Sequence, residues 1–520
     1  MRVHLVNPSD TAFGTAVITP RWLFVLAGAT PRSFGDAVIC DETLHHLNFA
    51  TVQPGDVVGI GIHTGNALRG YALGRQLKEH GATVVFGGVH PSLYPEEAFE
   101  RGCADAVVKG DGDVVWPEVL RDIERGNLKR VYEGGRVAAD QFVAARWDLL
   151  PPESYMWGSV QTVRGCPKHC SFCSVWRTDG QKPRQRGIDV VIEEIVELRR
   201  RGFRFIALAD DNFYPVSLTD LELARKQGNT ARVEELERIR GERFALMAML
   251  AKLPKDLVFF TQITMEAAED EEFLRAMKAA HIMGALVGVE AVTKEGLKAV
   301  YKDFNYSGDR LAQQLQRFRE NGVHILGSFI FGLPSDREDT FDATLEMAHK
   351  AGLTFAQFVM LTPFPGTVDF ERWEKAQGAD PEKREGVPLT RYWLIPPEKR
   401  PKMFMPHPTM TSEEMRARTQ SVWDRFYSAA AIWRRAECTP TLRARMAFFF
   451  VSKLYRQMYA STGIATDSAR SGRAAKWARR LAKPTRLLFQ AKPMPGLQVP
   501  DMQAYRTERL NAGLVTVQQN

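Results

Sequence analysis

Cysteine is scarce, with six in 520 residues, too few for a disulfide-stapled scaffold. Long apolar runs are lacking too: a stretch such as Met446–Val451 falls far short of the ~20 residues that span a bilayer. No charged-then-apolar leader with a small-residue cleavage site opens the chain, so an uncleaved, cytoplasmic protein is expected. No GxGxxG follows the first apolar run and no GxxxxGK[ST] occurs, so the usual dinucleotide and P-loop signatures are missing. What is there is ordinary globular material, 44% hydrophobic and 25% charged, which excludes disordered, collagen-like and coiled-coil chains. The length sets a prior of about three domains.

The charge is uneven. The net charge is +7, and Ala430–Asn520 holds sixteen Lys or Arg against four Asp or Glu, or +12, which leaves −5 for the rest. Within this tail, Arg443, Arg445, Lys453, Arg456, Arg473, Lys476, Arg479, Arg480, Lys483 and Arg486 interleave with Phe, Tyr, Leu and Trp477 at helical spacing. Such a pattern suits either a helix lying on an anionic membrane surface, at the inner face of the membrane, or plain helical packing. Nucleic acid is disfavoured, because no RNA-binding signature accompanies the charge.

From Met1 to about Asp140, short runs rich in Val and Ile alternate with helical patterns. Val3–Leu5, Val57–Ile62, Thr83–Phe86 and Ala106–Lys109 read as buried strands. Helical stretches at Leu68–His80, Glu96–Arg101 and Trp116–Glu124 end at Gly81, Gly102 and Gly126. The alternation predicts a parallel, doubly wound sheet whose ligand sits outside the carboxyl ends of the strands. The turns there are Asn7–Asp10, His63-Thr64-Gly65-Asn66, Gly87-Gly88-Val89-His90 and Gly110-Asp111-Gly112-Asp113. Gly87 and Gly88 are expected to let backbone approach a large ligand closely.

From about 155 to 370 there are six strand candidates: Ser159–Val163, Phe205–Ala209, Val258–Thr264, Gly284–Val289, His324–Ile330 and Phe355–Met360. Helical stretches, including Ile188–Arg200 and Asp339–Ala351, separate them. Six strand–helix units predict a (β/α)6 partial barrel with reactive groups at the carboxyl ends of the strands. Asp210, Asp211 and Asn212, and then Thr264 and Glu266, stand at such ends. A charged helical insertion, Leu218–Leu253, carries no assigned chemistry. Residues 371–520 read as a mainly helical C-terminal region.

Three of the six cysteines crowd into Arg164-Gly-Cys166-Pro-Lys-His-Cys170-Ser-Phe172-Cys173. Three thiolates on one loop can wrap a single metal centre. Zinc would want a fourth Cys or His, and His169, next to Cys170, cannot easily join one tetrahedral ion. A four-iron cubane held by three thiolates keeps one iron open, as a catalytic cluster needs.

Cys166-x-x-x-Cys170-x-x-Cys173, with Phe172 before the last Cys, resembles the radical S-adenosylmethionine (SAM) superfamily. Gly288-Val289-Glu290 is similar to that family's ribose-side Gly-x-Glu, and Gly327–Gly332 to its fifth strand beside the adenine. The first segment, in turn, resembles the cobalamin-binding module of cobalamin-dependent radical SAM enzymes. The resemblance implies a [4Fe-4S] cluster on Cys166, Cys170 and Cys173. It implies SAM held near Phe172, Asp210, Asp211, Asn212, Gly288, Glu290, Gly327 and Gly332. It implies cobalamin at His63, Thr64, Gly65, Gly87, Gly88, His90, Gly110, Asp111 and Gly112. Lys182, Arg184 and Arg186 are candidates for the SAM carboxylate or the cobalamin rim, or a plain solvated charge run. The implied activity is methylation of an unactivated carbon of a small-molecule or lipid substrate, with flavodoxin or ferredoxin as the one-electron donor. A radical cyclisation or rearrangement without net methylation is the alternative, and a non-catalytic cobalamin-binding sensor is the reading from another class. The Asp-x-His-x-x-Gly string that places a His below cobalt in other cobalamin proteins is absent. No His ligand is therefore expected, and His63 and His90 are either neighbours of that face or caps of their turns.

Overall fold

The computed structural model describes residues 1–462 and 486–501, except 11, 13–15 and 488. The basic residues Arg473, Lys476, Arg479, Arg480 and Lys483, and Trp477, lie outside the described residues; Arg486 is described, and it is buried and paired with Glu153 at 3.1 Å, so it is not part of an outward basic face. Among the described residues no helix is long and apolar enough to cross a membrane.

Two parallel sheets carry the molecule. In chain order the strands are β1 (Val3–Asn7), β2 (Ala16–Ile18), β3 (Val38–Asp41), β4 (Val57–Gly61), β5 (Thr83–Gly87), β6 (Ala106–Gly110), β7 (Val131–Gly135), β8 (Tyr155–Val160), β9 (Val163–Arg164), β10 (Arg184–Gln185), β11 (Phe205–Leu208), β12 (Val258–Ile263), β13 (Ile282–Glu290), β14 (His324–Phe331) and β15 (Phe355–Met360). The first sheet has the order β3-β1-β4-β5-β6-β7, and its pairs are all parallel. Its switch point therefore lies between β1 and β4, where a ligand crevice forms in doubly wound folds. The second sheet runs β15-β14-β13-β12-β11-β8-β2.

Two segments cross the boundaries read from sequence. β2 leaves the N-terminal segment and pairs in parallel with β8, Ala16 opposite Tyr155 and Ile18 opposite Trp157. In the other direction, Leu389, Tyr392, Trp393 and Ile395 from beyond residue 370 are buried in the core of the first sheet's helix layer. Trp393 donates its indole N–H to Glu97, which also accepts from Tyr71 and faces His90.

In the second sheet, alternate side chains divide between two environments. Ile206, Phe259, Val287, Phe329 and Phe358 are buried on one side; Phe358, for example, packs on Trp423 and Phe426 of the helix Ser412–Phe426. The register places Gln262, Leu286, Leu326 and Phe355 in one row on the other side, facing the barrel interior. Gln262 is exposed although it sits on a central strand, so the interior is open. Helix Leu442–Thr462 packs on the edge strand of this side, with Phe448 and Tyr455 against Phe355.

Candidate functional site

The three-cysteine loop leaves the end of β9 and returns through β10, and the antiparallel pair Arg164–Arg184, Val163–Gln185 pins its base. Gly165 has φ +95°, and a Cβ there would meet the Lys182 carbonyl at 2.8 Å, so the turn into Cys166 requires glycine. The loop is fastened at several points. Cys166 N–H donates to Gly180 O (3.0 Å), Ser171 N–H to Val300 O (3.2 Å), and Asp369 N–H to Ser171 O (3.1 Å). The Trp176 indole donates to Cys170 O (3.0 Å).

Burial pushes the Cys166 thiol up to about 11 and Cys173 to about 12, and the neighbouring cysteines add to the rise. The bare loop therefore holds thiols at neutral pH, and a bound cationic centre is what would draw off their protons. Among the described residues no three His, Cys, Asp or Glu side chains converge on one point as a single metal ion needs. Three thiolates on one loop match the three ligated irons of a cubane with one iron left open, whereas zinc asks for a fourth protein ligand in a closed site.

The three residues after β11 do different jobs. Asp210, 1% exposed, accepts from Thr162 N–H and Oγ1 (both 2.5 Å) and from Val163 N–H (2.9 Å). It is thus engaged with the chain leading into the cluster loop. Asp211 accepts from Gly165 N–H (2.6 Å), and burial raises its carboxyl to about 7, helped by Asp179 and Asp210. Asn212 accepts from the Tyr214 and Thr264 N–H groups, while its own buried amide nitrogen has no partner; Thr264 Oγ1 beside it is also unsatisfied. An unpaired buried donor is costly, so Asn212 is the member of this trio with hydrogen-bonding capacity left for a ligand.

Glu290 has φ +66° and follows a β-bulge in β13. That conformation costs a non-glycine residue ~1–3 kcal/mol. Its carboxylate pairs with Lys302 Nζ at 2.9 Å, both being buried, and Lys302 also donates to Gly288 O at 2.8 Å. A Cβ on Gly288 would lie 2.2 Å from Glu290 Oε1 and 2.4 Å from Lys302 Nζ, so this glycine makes room for the ion pair. Lys302 is close enough to Cys166 and Cys170 for those sulfurs to feel its charge. Nothing in the sequence marks this lysine.

Phe172 packs against the apolar cluster of Val300, Ile330 and Leu361. Gly327 aims its missing side chain at Leu353 (2.7 Å) and Phe329 (3.1 Å), not into the open interior. Gly332, φ +97°, donates its N–H to Asp336. Glu266 is tied to Lys168. The Lys182–Arg186 run is neither a free anion site nor a solvated charge run. Arg184 binds Asp111 (2.6 Å), Arg186 is buried on Glu194 (2.6 Å), and only Lys182 stays exposed, 3.6 Å from Glu235. The insertion is not chemically inert either: its buried Arg243 donates to Thr162 Oγ1 (2.7 Å) and faces Asp210.

Beside the cluster loop lies a cleft of about 730 Å³, lined by the turns after β4, β5 and β6 and by Gln161, Arg164 and Ala209 of the barrel mouth. Trp22, Val25, Leu26 and Trp116 supply apolar wall. Gly87 is open, with no atom nearer to a Cβ than Val108 O at 4.0 Å. Gly88 differs from the expectation: with φ +102°, its Cβ would strike Ile62 O at 2.5 Å. Its glycine is required by the backbone crossing to β4. Gly110, φ +74°, is likewise pressed on Gly135.

His63 accepts from Gly65 N–H through Nδ1 (3.0 Å) and caps the Thr64–Asn66 turn. That bond puts the neutral ring's proton on Nε2 and commits Nδ1 to the turn. His90 is fully buried, Nδ1 on Thr64 (3.2 Å) and Nε2 on Glu97 (3.1 Å). Both therefore act as turn-holding groups. Asp111, in the Gly110–Gly112 turn, reaches across to Arg164 (2.5 Å) and Arg184 (2.6 Å). Asp113 adds a contact to Arg164 at 3.2 Å. An ion-paired seam thus joins the glycine turns to the residue two before Cys166.

Residues 160–348 match the radical SAM superfamily. The chain is 28% identical over 397 residues to bacteriochlorophyllide d C-12(1)-methyltransferase of Chlorobaculum tepidum, covering 74% of this chain and 79% of that one. It is 25% identical over 426 residues to the anaerobic magnesium-protoporphyrin IX monomethyl ester cyclase of Rubrivivax gelatinosus, covering 74% and 72%. Among solved structures, the radical SAM methyltransferase TsrM from Kitasatospora setae, determined with cobalamin and a [4Fe-4S] cluster bound, superposes with a TM-score of 0.60. That match has 18% identity and covers 87% of this chain and 99% of TsrM. The loop bearing Cys166, Cys170 and Cys173 and the partial barrel fall within the matched stretch, and residues 160–348 form a radical SAM domain.

Proposed function

We propose that this protein is a cobalamin-dependent radical SAM methyltransferase, which uses SAM both as methyl source and as radical source to methylate an unactivated carbon. The observation that carries the reading is the shared cleft: the glycine turns of the first sheet face one space with Gln161, Arg164 and Ala209 of the barrel mouth and with Arg177–Asp179 at the far end of the cysteine loop, and the Asp111–Arg164 ion pair ties the two parts together. When bound, the cluster supplies the electron that cleaves SAM, and cobalamin carries the methyl group. The chain's own part is to hold them. Cys166, Cys170 and Cys173 would ligate three irons, leaving the fourth for SAM. Gly87 would admit the broad ligand, and Asn212 and the Glu290–Lys302 pair would meet SAM's polar groups.

The reading is tested by anaerobic turnover with methyl-deuterated SAM in an extract of a strain lacking the gene. A labelled product heavier by one trideuteromethyl group supports it. A second reading, radical cyclisation without methylation, is favoured by the likeness to the cyclase; a product that has lost hydrogens and gained no label would select it. The electron donor proposed is a flavodoxin or ferredoxin, and the setting proposed is the cytoplasm. We also propose peripheral contact with the inner membrane face through the C-terminal region, which is supported by that region's excess of basic residues.

A further inference from the structure

The helix Leu442–Thr462 has two unlike faces. One turns Phe448 and Tyr455 onto Phe355 inside the barrel, and Tyr455 reaches Gln357. At 100° per residue, Leu442, Met446 and Phe450 fall within one narrow arc on the opposite side. They are 68%, 41% and 61% exposed. A soluble surface has little reason to repeat large apolar side chains at i, i+4 and i+8 with nothing among the described residues upon them.

What flanks the stripe says what it fits. Arg443 and Arg445 stand on either side of it, and neither has a carboxylate partner among the described residues. Between Asp424 and Asp467 the sequence has seven basic residues and one acidic residue, Glu437. A second apolar protein face would not call for unpaired arginines along its edge. A bilayer interface does, because acyl chains take the apolar stripe while anionic headgroups meet the guanidinium groups. Trp433, also exposed, stands on the adjoining helix Ala429–Arg435.

We propose that the outer face of Leu442–Phe450 is the docking surface for an anionic lipid bilayer. The proposal names the face through which the peripheral contact of the preceding subsection is made, and it rests on that contact but not on methyl transfer. Because the same helix packs on Phe355 and Gln357 of the barrel's edge strand, docking brings the barrel's edge to the membrane surface.

The test is co-sedimentation of the full chain with phosphatidylcholine vesicles, with and without phosphatidylglycerol. The parent should bind the anionic vesicles and not the neutral ones. Two variants follow, Leu442→Gln/Met446→Gln/Phe450→Gln and Arg443→Gln/Arg445→Gln. The positions are solvent-facing and glutamine is a good helix former, so thermal midpoint and iron content should stay at parental values. Binding should fall about 5-fold for each arginine removed, about 30-fold for the pair, and to background for the apolar triple. Equal binding by parent and both variants would move the contact elsewhere on the chain and overturn the face. No binding by the parent would overturn both the face and the peripheral contact. Retention of transfer RNA in place of vesicles would overturn the lipid assignment. Failure of methyl transfer would touch none of these results, since the assay needs no cofactor.

Discussion

Gly87 and Gly88 are adjacent, yet side chains added to them should fail in different ways. Gly87 has φ in the ordinary range, and its Cβ position faces open cleft, with Val108 O at 4.0 Å its nearest neighbour. Gly87→Phe should therefore fold, and its ring should occupy space that a ligand needs. Overfilling a fitted site costs ~1–3 kcal/mol, so the dissociation constant for hydroxocobalamin should rise about 5- to 150-fold. Iron content after reconstitution should not change. Gly88 sits at φ +102°, ψ −174°, a region held almost only by glycine, with Ile62 O 2.5 Å from the added carbon. Gly88→Ala should lose ~1–3 kcal/mol of stability from strain alone, with a further loss from the displaced β4 backbone. The assay is a pair of titrations on each variant, hydroxocobalamin by absorbance and urea by circular dichroism. Parental cobalamin affinity in Gly87→Phe would refute the claim that this turn cradles the ligand. Parental stability in Gly88→Ala would refute the strain argument.

Changing Cys166, Cys170 or Cys173 to Ala should each abolish SAM cleavage and most iron binding, whereas Cys40, Cys103 and Cys438 should be replaceable without loss of iron; elemental analysis and 5′-deoxyadenosine release decide it. Lys302→Met alone should cost ~3–5 kcal/mol by leaving Glu290 buried and unpaired, and Glu290→Gln/Lys302→Met together should recover much of this, as a double-mutant cycle in urea would show. Burial lifts the Asp336 carboxyl to about 6. The folded state thus holds that proton more tightly than the unfolded one, and the stability so gained is complete below about pH 4 and lost as pH rises to about 6. The lost part is ~3 kcal/mol for a shift of about two pH units. Asp336→Asn should flatten this part of the pH–stability curve, and an unchanged slope would contradict it. Asp111→Asn should destabilise more than Arg184→Ala, because Asp111 serves Arg164 as well; equal unfolding midpoints would count against the seam.

Both parallel sheets were legible in the sequence, because buried parallel strands are continuous apolar runs that end in glycine and polar turns. Phe355–Met360 and the helix Ile188–Arg200 match residue for residue. β3 and β7 were missed, the first four residues long and the second an edge strand ending in Glu-Gly-Gly, too short or too polar to register. β8 lies upstream of its expected place because Val163 belongs to the hairpin under the cluster loop. The cysteines were visible because thiolate spacing is local. Lys302 was not, since its partner is brought to it by a bulge and a positive φ twelve residues away. Gln262 and Gln357 did carry a signal, a lone amide at an inward position of an otherwise apolar strand. Asp210 and His90 had the right residue types for a site, but their hydrogen bonds spend them on holding turns.

The pairing of Ala16–Ile18 with β8 has a consequence for how the chain can be divided or assembled. Residues almost 140 apart form the last rung of the barrel sheet, so the N-terminal part emerges from the ribosome with one strand waiting for a partner not yet made. A fragment ending near residue 140 would carry that strand unpaired, and a fragment beginning near 155 would show β8 as a naked edge, an invitation to sticky association. The two halves are therefore not interchangeable cassettes. Swapping the N-terminal domain for a relative's should yield soluble protein only when the short strand travels with the barrel it completes.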